Sequence, residues 1–95
     1  MERGCSVLDI QKPAVAGTME SSDAYVRIQP GEGIDIQLES VVLAQFGDAI
    51  LAVVHEVLDE LDVRNASVHI VDRGALECVI RARVETAVKR GKEAI

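Results

Sequence analysis

"DRGALECVIRARVETAVKR", residues 72–90, decides the fold, because it carries two patterns at once. Leu76, Cys78, Ile80, Ala82 and Val84 alternate as a strand. Leu76, Val79, Ile80, Val84, Ala87 and Val88 fall on one face of a helix. Strands repeat every second residue and helices every 3.6, so both templates are filled. Asp72-Arg73-Gly74 resembles a three-residue hairpin loop whose Gly takes the left-handed position. That signal predicts a strand to about Ala82, with Cys78 on its inward face and Arg81 and Arg83 on its outward face. "RVETAVKR" then predicts a short C-terminal helix.

Upstream, Ala66, Val68 and Ile70 alternate with Ser67, His69 and Val71 as another strand. Before it, Leu43, Phe46, Ile50, Val53, Val54, Val57 and Leu61 recur at three- and four-residue spacing. Gln45, Asp48, Glu56, Asp59 and Glu60 take the other face, so a long amphipathic helix is expected over about 40–61, with Ser40 as N-cap. Ala24, Val26 and Ile28 alternate with Tyr25, Arg27 and Gln29. Ile34, Ile36 and Leu38 alternate with Asp35, Gln37 and Glu39. "PGEG" at 30–33 reads as the turn joining these two strands in a hairpin. The expected fold is a small single-domain α+β protein. Its antiparallel sheet of about four strands, in β-β-α-β-β order, packs on one long helix. Residues 1–23 lack a sustained period and read as a flexible arm, leaving 24–95 as the folded domain.

The chain has 95 residues, 48% hydrophobic and 2% aromatic, so one domain with an aliphatic core is expected. Residues 1–62 hold twelve Asp/Glu against three Lys/Arg, a net −9. Residues 63–95 hold four against seven, a net +3. The acidic field repels phosphate backbones and anionic lipid, and two aromatics make no stacking platform. No nucleic acid and no membrane partner are expected. Cys5 and Cys78 form no CxxC and read as free thiols of a reducing, cytoplasmic protein. The first residues lack the apolar stretch of a secretory signal.

Few residues are candidates for chemistry. His55-Glu56 starts a zinc-protease motif, but position 59 is Asp, so a solvated helix face is the reading. His69 reads as an ordinary surface histidine. No catalytic or metal-binding set emerges. That leaves "GTMESSDAYV", residues 17–26, where Ser21 and Ser22 stand between Glu20 and Asp23. The acidic neighbours oppose an alkoxide, and no base or oxyanion motif accompanies the pair, so a self-sufficient serine hydrolase is disfavoured. Two readings stay open: a turn with local hydrogen bonds, or a hydroxyl modified by another enzyme.

"AGTMESSDAYVRI", "QFGDAI" and "DRGALECVIRAR" together resemble the acyl carrier protein (gamma chain) family of citrate lyase over most of the chain. Met19 stands where Leu is common in that family. The resemblance implies a covalent carrier with no catalytic side chains of its own. Ser21 matches the serine that takes 2'-(5''-phosphoribosyl)-3'-dephospho-CoA through a phosphodiester; the choice of Ser21 over Ser22 rests on that match. The implied partners are the alpha (acyl transferase) and beta (citryl lyase) subunits of citrate lyase and a prosthetic-group transferase. The thiol of the group would carry acetyl and citryl thioesters between the two subunits, turning citrate into oxaloacetate and acetate. The nearest alternatives are a carrier for a related complex such as malonate decarboxylase, or a non-covalent acidic docking module.

Overall fold

A computed structural model describes residues 10–40 and 43–92, with side chains from residue 47 onward in the second span. Cys5 and the start of the expected arm lie outside the described residues. The elements run β1 (Ala14–Gly17), β2 (Ala24–Gln29), β3 (Ile34–Ser40), α1 (Leu43–Glu60), β4 (Ala66–Asp72) and α2 (Glu77–Lys92). They form one α+β domain, with a four-stranded sheet in the order β1-β2-β4-β3.

The alternation read for β2 and β4 sets their inner faces. Ala24, Val26 and Ile28 of β2 and Ala66, Val68 and Ile70 of β4 are all fully buried. The two strands pair antiparallel, with Val26 opposite Ile70 and Ile28 opposite Val68. The helices cover this face, α2 lying over β1 and β2, α1 over β3, and each against the other. Val54, Val57 and Leu58 of α1 and Val84, Ala87 and Val88 of α2 close the core. The opposite face carries Arg27, Gln29, Gln37, Ser67 and His69 together with Val15, Tyr25 and Val71.

Four expectations are corrected. First, β2 and β3 do not form a hairpin, because β4 lies between them. Two strand spacings are about 9.6 Å, and four residues reach about 13 Å, so residues 30–33 can bridge the gap. That loop crosses the start of β4: Gly33 N–H donates to Asn65 Oδ1 (2.9 Å), and Ala66 N–H donates to Gly33 C=O (2.8 Å). Second, the sheet is mixed rather than antiparallel, since β3 and β4 pair in parallel from Ile34–Ala66 to Ser40–Asp72. Parallel neighbours need a long crossover, and α1 supplies it.

Third, residues 76–82 are not a strand. They begin α2, and Asp72-Arg73-Gly74 leads from strand to helix instead of closing a hairpin. A strand folding back on β4 needs a free edge, and β2 and β3 occupy both. Asp72, itself buried, accepts Ala75 N–H through Oδ1 (2.8 Å) and Ser40 Oγ–H through Oδ2 (2.8 Å). Ser40 is the last residue of β3 and the described part of α1 starts at Leu43; the helix start expected at Ser40 runs through residues 41–42, outside the described residues. Glu77 in the first turn of α2 and Lys89, Arg90 and Lys92 in its last match the helix dipole. Cys78 becomes an exposed free thiol rather than an inward-facing one. Arg81 reaches Glu56 and Glu60 of α1 instead of solvent.

Fourth, the part of the expected arm at residues 14–17 is the edge strand β1, antiparallel to β2 from Ala14–Ile28 to Gly17–Tyr25. Ile10 is buried, and Gln11 and Lys12 N–H both donate to Gly91 C=O at the end of α2 (2.7 and 3.2 Å).

Candidate functional site

Ser21 and Ser22 sit in the loop from β1 to β2, at the end of the sheet where β4 stops and both helices start. Asp23 N–H donates to Glu20 C=O (3.2 Å), which closes a four-residue turn. Ser22 has φ +67, and Ser21 is not left-handed, which is the type II pattern with Ser21 at the first corner. Both serines are exposed. Ser21 Oγ makes no hydrogen bond among the described residues.

Asp23 anchors the turn to the body of the protein. Arg83 grips it with two parallel bonds, Nε to Oδ1 and a terminal nitrogen to Oδ2, each 3.0 Å. Such planar, charge-assisted pairing fixes direction as well as distance. Thr18 Oγ1 donates to Asp23 Oδ2 (2.6 Å), and Ala24 N–H donates to Oδ1 (2.7 Å). Thr18 Oγ1 in turn accepts Glu20 N–H (3.2 Å). The loop after β4 holds the turn from its other side: Ser22 N–H donates to Arg73 C=O (2.8 Å), and Arg73 N–H donates to Asp23 C=O (2.9 Å). One turn is thus tied to Thr18 in its own loop, the start of β2, the β4–α2 loop and α2.

The Arg83 bonds are the main cause that lowers the Asp23 carboxyl from 3.8 to about 2, followed by those from Thr18 and Ala24. A folded-state pKa below the unfolded one means the anchor's stability is complete above pH 3.8. It is lost as pH falls through about 2. In an NMR titration, the Arg83 Nε–H and Ala24 amide resonances should move with a midpoint near 2. The Asp23→Asn variant should lose that transition. A carboxyl titrating at 3.8 would contradict the clamp.

The other sequence candidates lie elsewhere. His55 is exposed on α1. His69 is in mid-sheet on the face away from the helices, opposite Arg27 and Gln37, with Nε2 paired to Glu39 Oε2 (2.6 Å). Between α1 and α2, next to the 72–76 turn, lies a groove of about 220 Å³. It is walled by aliphatic side chains such as Ile50, Val53, Leu76 and Ile80, with Asp72 and Glu77 at its margin. Among the described residues, no group of three or more His, Cys, Asp or Glu is placed to hold a metal ion, and no helix is long and apolar enough to cross a membrane. Sequence reasoning missed Thr18, Arg73 and Arg83 as parts of the serine site. Reading residues 77–92 as a helix would have raised Arg83 as a candidate, since it then points beside Val84 toward β1 and β2.

The site is thus an exposed serine pair on an anchored turn of a mixed-sheet α+β domain, with His55 and His69 elsewhere. The family described as ACP: Malonate decarboxylase delta subunit (MdcD) matches residues 11–91. Citrate lyase acyl carrier protein of Treponema denticola is 50% identical over 86 residues, covering 90% of this chain and 99% of that one. The Vibrio cholerae protein of the same name is 55% identical over 85 residues, covering 87% of each. The fold recurs in the crystal structure of a Pseudomonas malonate decarboxylase hetero-tetramer in complex with malonate (TM-score 0.75, 23% identity, 84% of each chain). The chain belongs to this acyl carrier protein family, alongside the citrate lyase acyl carrier proteins.

Proposed function

We propose that the protein is the acyl carrier subunit of a citrate lyase and is modified at Ser21. The observation that carries this is a hydroxyl at the first corner of an anchored turn, exposed and, among the described residues, without a hydrogen bond of its own. Relatives about half identical over nine-tenths of the chain, named citrate lyase acyl carrier proteins, favour citrate lyase over malonate decarboxylase.

The site suits a phosphodiester-linked group. Ser21 Oγ is open to a transferase that brings its own base, and the neighbouring Asp23 charge is already matched by Arg83. When bound, 2'-(5''-phosphoribosyl)-3'-dephospho-CoA would supply the thiol that bears acetyl and citryl thioesters. The protein's residues hold the attachment point still and away from the core. Tethering raises the effective concentration of the carried group at each partner site, so the carrier itself needs no catalytic side chain. The proposed partners are the acyl transferase (alpha) and citryl lyase (beta) subunits and a prosthetic-group transferase. The net −9 of residues 1–62 suits docking on basic surfaces of these larger chains. The proposed compartment is the cytoplasm.

Intact mass and peptide mapping of protein from cells growing on citrate test this. A coenzyme-sized adduct is expected on the peptide holding Ser21. It should vanish in Ser21→Ala and persist in Ser22→Ala. Unmodified serine in such cells would return the protein to the class of non-covalent docking modules. An adduct on a protein that co-purifies with decarboxylase rather than lyase subunits would assign it to malonate decarboxylase.

A further inference from the structure

A phosphodiester on Ser21 places a new negative charge on a turn that already holds Glu20 and Asp23. Water screens that charge, and a cation held beside it would direct it; among the described residues few cations lie at this end of the sheet. Arg83 is committed to Asp23 with both of its bonds. Arg81 is committed to Glu56 and Glu60. Arg90 and Lys92 stand in the last turn of α2, away from this end, and donate to Val15 C=O (2.8 Å) and Leu61 C=O. Arg73 differs from all of these. Its backbone is bonded on both sides to the serine turn, to Ser22 and Asp23, yet its exposed side chain has no ion pair or hydrogen bond among the described residues.

We infer that Arg73 is the counter-charge for the phosphate that joins the prosthetic group to Ser21; this rests on the carrier reading above. The geometry is that of neighbouring chains. Arg73 C=O accepts Ser22 N–H, and Arg73 N–H donates to Asp23 C=O, so its backbone lies against the two residues that follow Ser21. Ser21 is next to Ser22 on the same turn, and arginine is among the longest side chains. A guanidinium can present two parallel donors to a phosphate, which fixes orientation as well as charge. The two backbone bonds give Arg73 a fixed base from which to do so. Arg73 is a positioning residue here: it steers the first atoms of the arm and does no chemistry on the thioester.

The test uses loaded and unloaded protein, first confirmed by mass. Exchange of the Arg73 Nε–H is read by NMR, together with the ³¹P resonance of the Ser21 phosphodiester. Because the pair is exposed, loading should slow that exchange only about two- to fivefold. The slowing should disappear near 1 M salt, where charges are screened beyond about 3 Å. Arg73→Gln should shift the ³¹P line, and Arg73→Lys should return it part of the way. The Ser22 and Asp23 amide resonances serve as the fold control, because both variants keep the backbone bonds. An adduct on Ser21 with unchanged Arg73 exchange and an unmoved ³¹P line would overturn this inference alone. The absence of any adduct on Ser21 would overturn it together with the carrier reading.

Discussion

Gly17→Ala is expected to tear β1 from the sheet. Gly17 has φ +92, and a Cβ there would lie 1.8 Å from Ala24 C=O oxygen and 2.9 Å from its carbon. Both atoms belong to the backbone of β2, so no side chain can rotate out of the way. The left-handed conformation costs an alanine about 1–2 kcal/mol. Overpacking adds about 1–3 kcal/mol. Against a whole-domain stability of about 5–15 kcal/mol this is a large fraction. β1 is only four residues long and lies at the sheet edge, so the strand gives way before the domain does. Amide protection at 14–17 should collapse, and the melting temperature should fall by at least about 8 °C. Gly33→Ala is the comparison: φ is +71, but nothing lies within 4 Å of the added carbon, so only the backbone strain remains. Equal protection of β1 in both variants would refute this account. The turn's other ties, from Asp23 to Arg83 and from Ser22 to Arg73, do not pass through Gly17. Even so, the carbon added at position 17 would lie 3.2 Å from Arg83 Cδ, so Gly17→Ala presses on the clamp as well as on β2.

What the sequence revealed depended on whether a pattern was local. The period of α1 and the alternation of β2 and β4 are local, and the buried residues are the ones the patterns picked out: Val54 and Val57, Val26 and Ile28, Val68 and Ile70. Strand order is not local. Ile34, Ile36 and Leu38 alternate equally well beside β2 or on the far side of β4, and a four-residue loop permits both. The strand–helix–strand succession from 34 to 72 was the available clue, since that order is the signature of a parallel pair. Ala14–Gly17 was missed because "AVAG" has one large side chain and its pairing is visible only with β2 in place. The resemblance singled out the serine pair as the candidate, but nothing local in the sequence showed the clamp beneath it. Asp23 and Arg83 are 60 residues apart, and Arg83 faces Asp23 only once residues 77–92 are a helix.

That helix yields the second large effect, because strand and helix put Ala82 on opposite sides. A strand would turn Ile80, Ala82 and Val84 inward together. In α2, Ile80 and Val84 are buried while Ala82 is exposed. Placing the same residue at each position separates the two. Ala82→Glu adds a good helix former on the solvent side and should change stability by about 0.5 kcal/mol or less. Val84→Glu puts a carboxylate among Val26, Val54 and Ala87 with no partner, which costs about 3–5 kcal/mol. That is a large fraction of a whole-domain stability of about 5–15 kcal/mol, so the variant should unfold at a much lower urea concentration near neutral pH. The buried carboxyl would have a folded pKa above the usual 4.3 or so, because burial penalises its charged form. Its deficit should therefore shrink as pH falls toward about 4.3. This window lies above pH 3.8, where the Asp23 clamp begins to weaken, so the two titrations do not overlap. Urea unfolding of both variants at pH 7 and pH 5 reads the difference. Equal losses at positions 82 and 84 would restore the strand. A severe loss at 84 alone, partly regained at pH 5, follows only from a helix that turns Val84 into the core and, one residue away, aims Arg83 at the carboxylate beneath the serine turn.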